Sequence, residues 1–124
     1  MPTLIACLST GKGTWSEVTK IMQAQPWSAV YLITNQFGLD NFTGKQEGIH
    51  LIVLNSDYDP VESLVEQIKK QLKGKITDFE VALNIVSGSG KEHMALLEAV
   101  LELGLNFRLV TFANNQLEVL GLKN

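Results

Sequence analysis

Two short stretches of the chain hold the residue types that grip phosphate. One reads Ser9, Thr10, Gly11, Lys12, Gly13, Thr14 and leads into Trp15; the other reads Ser87, Gly88, Ser89, Gly90, Lys91. Each combines glycines, whose bare backbone lets N–H groups approach an anion, with hydroxyls that can orient it and a lysine that can neutralise it. Neither matches the standard nucleotide loops. An ATP-binding Walker A loop needs Gly-x-x-x-x-Gly-Lys followed by Ser or Thr. Ile85 stands where the first glycine should precede Gly90, and Glu92 follows Lys91; in the other loop Ala6 holds the glycine position and Gly13 follows Lys12. A dinucleotide fingerprint Gly-x-Gly-x-x-Gly, begun at Gly11, would need its third glycine at Ser16. ATPase and NAD loops are excluded, and phosphate contact of another kind is left.

The flanking segments say how such loops would be held. Residues 4–8 form a short apolar run without helical period, and 29–33, 49–54, 79–86 and 107–112 read the same way, as buried strands. Thr14 and Glu17 stand at capping-box spacing at the head of a helix whose apolar stripe is Trp15, Val18 and Met22. A second helix is expected to start with Asp59 as cap, Pro60 in the first position and Glu62 completing the box. Its buried face is Val61, Leu64, Val65, Ile68 and Leu72, and Gly74 ends it. A third helix, over 91–103, begins behind Ser89 and Glu92, again a Ser-x-x-Glu box, and stops at Gly104. The polar stretch 34–48 has room for a turn or two of helix, as a crossover between parallel strands requires. Asn114 and Asn115 tolerate positive φ and separate 107–112 from 117–120, which predicts a closing antiparallel hairpin.

Strands alternating with helices predict a three-layer, Rossmann-like α/β domain over residues 1–124, with a mostly parallel sheet ordered 3-2-1-4-5 and the hairpin at its end. In that order the first and fourth strands are neighbours where the winding reverses, which is where such sheets bind ligands. Both glycine loops then open on one crevice, each at a helix N-terminus whose amides favour an anion. Asn35 and Gln36, at the end of the second strand, fall on the same edge of the sheet.

Composition narrows the partners. The 124 residues are 45% hydrophobic and 19% charged, enough for one core, and the formal charge of −3 excludes the broad basic face that duplex nucleic acid demands. Cys7 is the single cysteine and sits in an apolar run, as a buried small hydrophobe in a reducing cytoplasm would. No long apolar span and no basic leader are read, so a cytoplasmic protein without membrane attachment is expected. His50, His93 and Cys7 lack metal-ligand spacing, and neither metal nor cofactor is assigned. His93 can donate to phosphate or move a proton, or simply sit exposed at the helix start. Trp15 can stack on a base or pack its helix, and Ser89 can touch a ligand or only cap.

The residues Asn84-Ile85, followed by Ser87-Gly88-Ser89-Gly90-Lys91 and by Met94 on the helix, resemble the second motif of the CARF domain, the CRISPR-associated Rossmann fold that senses cyclic oligoadenylates. That motif reads approximately Asn-Ile-Thr-Gly-Gly-Thr-Lys-x-Met. Here one extra residue separates Ile85 from Lys91, Ser89 splits the glycines, and Lys91 lies two residues farther from Met94. The resemblance covers strand, loop and helix, runs into the fifth strand, and extends loosely over the whole chain. It implies a solitary CARF-like unit that binds cyclic oligoadenylate, cyclic tetra-adenylate foremost, across the two-fold axis of a homodimer. In the ring nucleases of that family a ribose 2′-hydroxyl attacks its adjacent phosphate without metal. On that pattern Lys91 and Ser9 would carry catalysis, Lys12 would add charge, and Thr10 and Ser87 would position the phosphate. Gly11, Gly13, Thr14, Trp15, Asn35, Gln36, Gly88, Ser89, Gly90 and His93 would line the ligand. Cutting and holding both stay open, as do two other classes: a mononucleotide- or flavin-binding module, since residues 9–14 are similar to flavodoxin phosphate loops out of register, and a non-catalytic regulatory subunit.

Overall fold

Apolar runs and amphipathic segments alternate through the computed structural model, which describes residues 2–9, 13–44 and 47–121. The elements in chain order are β1 (Thr3–Cys7), α1 (Trp15–Gln23), β2 (Ala29–Thr34), α2 (Gln36–Asn41), β3 (Ile49–Val53), α3 (Val61–Leu72), β4 (Glu80–Asn84), α4 (Gly90–Glu102), β5 (Asn106–Ala113) and β6 (Gln116–Val119). They build one six-stranded sheet in the order β3-β2-β1-β4-β5-β6. The pairings are parallel through β5, and β6 closes antiparallel on β5. The turn between them is made by Asn114 and Asn115 at φ 55° and 60°, the two-residue turn whose twist matches a hairpin. This is the expected Rossmann-like α/β architecture with its C-terminal hairpin.

Successive residues of a strand face opposite sides, and β1 uses both. Ile5 and Cys7 join Leu64 and Ile68 of α3 and Leu96 and Val100 of α4 in one core. Leu4, Ala6 and Leu8 join Val18 and Ile21 of α1, with Phe42, in the other. Every residue of β1 is therefore buried, as befits a central parallel strand covered on both faces. Burying such a side chain contributes about 1.5–3 kcal/mol, and a one-residue slip of register would exchange the two sets and lose their fit to the helices on either side. That fixes where β1 and β4 end, and hence where their loops begin.

Two expected caps do not form. Thr14 stands at the N-cap of α1 without a side-chain bond, and Glu17 instead accepts from Thr111 Oγ1 on β5 at 3.2 Å. Pro60, not Asp59, is the N-cap of α3, and the Asp59 carboxylate accepts from Gln67 Nε2 at 3.0 Å. A carboxylate near a helix start bonds the best donor in reach: for Glu17 that is a hydroxyl on β5, and for Asp59 an amide side chain farther along α3 itself. Strand β4 stops at Asn84, short of residue 86, because the Asn84 side chain takes over the ladder. Its Nδ2 donates to the Val110 carbonyl at 2.8 Å and its Oδ1 accepts from the Val86 amide at 3.2 Å. The stretch after β2 does hold a short helix, α2, capped by Asn35 Oδ1 accepting from Gly38 N at 2.9 Å. Among the described residues no helix is long and apolar enough to cross a membrane.

Candidate functional site

Strands β1 and β4 run side by side, with Leu4 opposite Ala82 and Ala6 opposite Asn84. Just past their carboxyl ends, Ser9 and Ser87 bond to each other's chain. Ser87 Oγ donates to the Ser9 carbonyl at 3.0 Å and accepts from the Ser9 amide at 3.2 Å. Both serines are buried, so these bonds form away from competing water and fasten the two loops together. Gly88 is what lets the second loop lie so close. It sits at φ +95°, and a Cβ there would come within 3.1 Å of Cys7 Cβ and 3.0 Å of Glu92 Oε1.

The organising group is Glu92, whose side chain is completely shielded from solvent. Its Oε1 accepts from Ser9 Oγ at 2.6 Å and from the Ser89 amide at 2.8 Å, and its Oε2 accepts from Ser56 Oγ at 3.0 Å. Ser89 Oγ in turn accepts from the Glu92 amide at 3.2 Å, completing the capping box of α4. One carboxylate thus ties together the loops after β1, β3 and β4. Desolvating a carboxylate costs several kcal/mol, which three donors and the positive end of α4 offset here. The thiol of Cys7 is pushed well above its ordinary range, first by burial and then by the Glu92 charge, so it stays protonated. The other ring at this spot is His93. Its Nε2 lies 2.7 Å from the Ser87 carbonyl, which can only accept, so Nε2 carries the proton. The imidazole is half-buried and pinned to the loop, not free at the helix start.

The expected site residues fall into three groups. Thr10, Gly11 and Lys12 lie outside the described residues. Ser9, Ser87, Gly88, Ser89 and His93 are gathered around Glu92; the hydroxyls of Ser9 and Ser87 donate inside the protein, and that of Ser89 accepts from the Glu92 amide. Next to them Gly90 is exposed and Lys91 half-buried, with no ion pair from Lys91 to another described residue; the backbone amides of both donate to no described residue. The remaining residues stand apart. Gly13 is exposed and Thr14 half-buried. Trp15 packs with its ring centroid 5.8 Å from that of Phe37 and 6.2 Å from that of Phe42, the helix-packing role its stripe suggests. Its Nε1 is buried with no hydrogen-bond partner among the described residues. Asn35 caps α2, Gln36 Nε2 donates to Asp40 Oδ1 at 2.9 Å, and both line a cavity at the ends of β2 and β3.

Sequence reasoning saw Glu92 only as half of a cap and passed over Ser56. A signal for the first was present. Glu92, Ala95, Leu96 and Ala99 follow i, i+3, i+4, i+7, so the carboxylate sits on the buried face of its helix. Among the described residues no three His, Cys, Asp or Glu side chains gather as metal ligands. Chemically the arrangement offers a rigid loop platform, one lysine and two first-turn amides beside it. No protein-family model matches the chain, and no curated protein matches it.

Proposed function

We propose that this chain binds a phosphate-bearing nucleotide at the mouth between β1 and β4, and that the ligand is a cyclic oligoadenylate, with cyclic tetra-adenylate the form to test first. The observation that carries the reading is the reciprocal pair of hydrogen bonds between Ser9, where the chain leaves β1, and Ser87, in the loop that leads to the N-terminus of α4. Lys91 and the amides of Gly90 and Lys91, without partners among the described residues, supply charge and donors for one phosphate. The similarity of residues 84–94 to the second CARF motif supplies the identity of the ligand and its place on a homodimer axis. Such a protein would serve CRISPR antiviral signalling in the cytoplasm.

Binding is favoured over cutting. The Ser9 hydroxyl is buried and donates to Glu92, so it supports the loop and does not reach a phosphate. Any in-line attack by a ribose 2′-hydroxyl would draw its charge stabilisation from Lys91. Calorimetry and thermal melting with cyclic tetra-adenylate test this directly. A ligand at about 100 times its Kd adds about 2.7 kcal/mol of stability, and loss of the Lys91 charge should weaken binding at least about tenfold. No melting shift at ligand far above micromolar concentration ends the proposal. Incubation of the complex with EDTA, followed by chromatography of the ring, separates a ring nuclease from a holder.

A further inference from the structure

A cavity of about 500 Å³ opens at the carboxyl ends of β2 and β3. Its size is that of a small-molecule site, which runs from roughly 300 to 1,000 Å³. Neither Lys91 nor the loop 87–90 lines it. Two aromatic rings do. Phe37 of α2, whose ring also packs against Trp15, is 44% exposed, and Tyr58 of the β3–α3 loop is 83% exposed.

Amide side chains form much of the polar lining, and their neighbours fix which atoms are spent. Asn35 Oδ1 accepts from the Gly38 amide, which leaves its NH2 as a donor. Gln36 Nε2 is held by Asp40, and Gln67 Nε2 by Asp59 and Ser63 at 3.0 Å each, which leaves both glutamine carbonyl oxygens as acceptors. The lining therefore combines amide donors and acceptors with two exposed rings, the groups that read the edge of a nucleobase and stack on its face. The charged residue in the lining is Asp57, and no lysine or arginine accompanies it. An anion is disfavoured there, and a neutral ligand fits.

We propose that this cavity binds a neutral purine nucleoside, its base stacked against Phe37 and Tyr58 and its edge read by Asn35, Gln36 and Gln67. The site does not depend on phosphate capture at the β1–β4 mouth. The full chain is titrated with adenosine while the Val53 and Leu54 methyl resonances, both in the lining, are followed by NMR. Saturable shifts of these methyls are expected. Tyr58→Ala should raise the Kd about tenfold, since one stacked base is worth about that factor, with melting unchanged because the ring is exposed. Lys91→Ala should leave the Kd as it was, and AMP should bind more weakly than adenosine because of Asp57. Absence of saturable shifts at millimolar adenosine, or a Kd indifferent to Tyr58→Ala, overturns the proposal. Loss of adenosine binding in Lys91→Ala overturns it too, because it would move the nucleoside to the other mouth.

Discussion

Replacing Glu92 separates bond count from charge at the centre of the loop platform. The carboxylate receives three donors, Ser9 Oγ at 2.6 Å, the Ser89 amide at 2.8 Å and Ser56 Oγ at 3.0 Å. In Glu92→Ala all three lose their acceptor. An orphaned buried donor costs about 1–3 kcal/mol, though the two hydroxyls can turn to new partners, so about 3–5 kcal/mol is expected in all. Glu92→Gln keeps the shape. Its carbonyl can serve Ser9 and Ser89, and its NH2 can face Ser56, whose hydroxyl accepts as readily as it donates. Exchanging charge-assisted bonds for neutral ones loses about 1 kcal/mol apiece, while relief from burying a charge returns several kcal/mol. The two nearly cancel, and Glu92→Gln should lie within about 1 kcal/mol of the parent. Urea unfolding of the three proteins at neutral pH gives both differences. A glutamine variant as unstable as the alanine one would refute the reasoning. It would mean that negative charge, answered by a cation, holds the loops, and not the neutral donors. An alanine variant within about 1 kcal/mol of the parent would show that the loops are held elsewhere.

Two further predictions concern the same end of the sheet. Gly38 lies inside α2, where alanine is normally better by about 0.8–1 kcal/mol. Here a Cβ would overlap Thr34 Oγ1 and come within 2.9 Å of the Leu8 carbonyl, the two groups that bond to each other across β1 and β2. Gly38→Ala should therefore destabilise by about 1–3 kcal/mol in denaturant unfolding, and a stabilised variant would contradict the close approach. Cys7 predicts a pH dependence. Its thiol is raised above the ordinary 9.0 by burial and then by Glu92, so above that pH the unfolded chain releases a proton that the native one keeps. The native state then binds more protons, and stability falls as pH rises, by up to about 1.4 kcal/mol per unit above pH 9 and not below it. Comparing Cys7→Ala with the parent at pH 7 and pH 10 isolates the effect. Equal slopes in the two proteins would show that the thiol ionises freely in the fold.

The strand order could be read from the chain because the parallel crossovers admit few arrangements, and because the pair Asn114-Asn115 announces its turn locally. Caps were less dependable for a physical reason. Ser89 and Glu92 bond as their spacing says, whereas Thr14 and Asp59 have the right chemistry but lie where Thr111 and Gln67 offer Glu17 and Asp59 other donors. Local propensity decides only where no other donor, on a distant element or farther along the same helix, competes.

The polar hub shows a sharper divide between what a chain declares and what only folding reveals. That Glu92 is buried follows from its place on the apolar stripe of α4. That Ser56, 36 residues earlier, meets it does not follow, because nothing short of the assembled β3 edge brings that hydroxyl over the end of β1. The consequence bears on function. A buried carboxylate answered by two hydroxyls and an amide uses up no cation, so Lys91, one residue away, stays without an ion pair among the described residues. Had an arginine or lysine been drafted to neutralise Glu92, rigidity and anion binding would have competed for the same charge. On the proposed reading, loops fixed by neutral donors before any ligand arrives would lower the ordering cost of binding, and Lys91 would be kept for the guest.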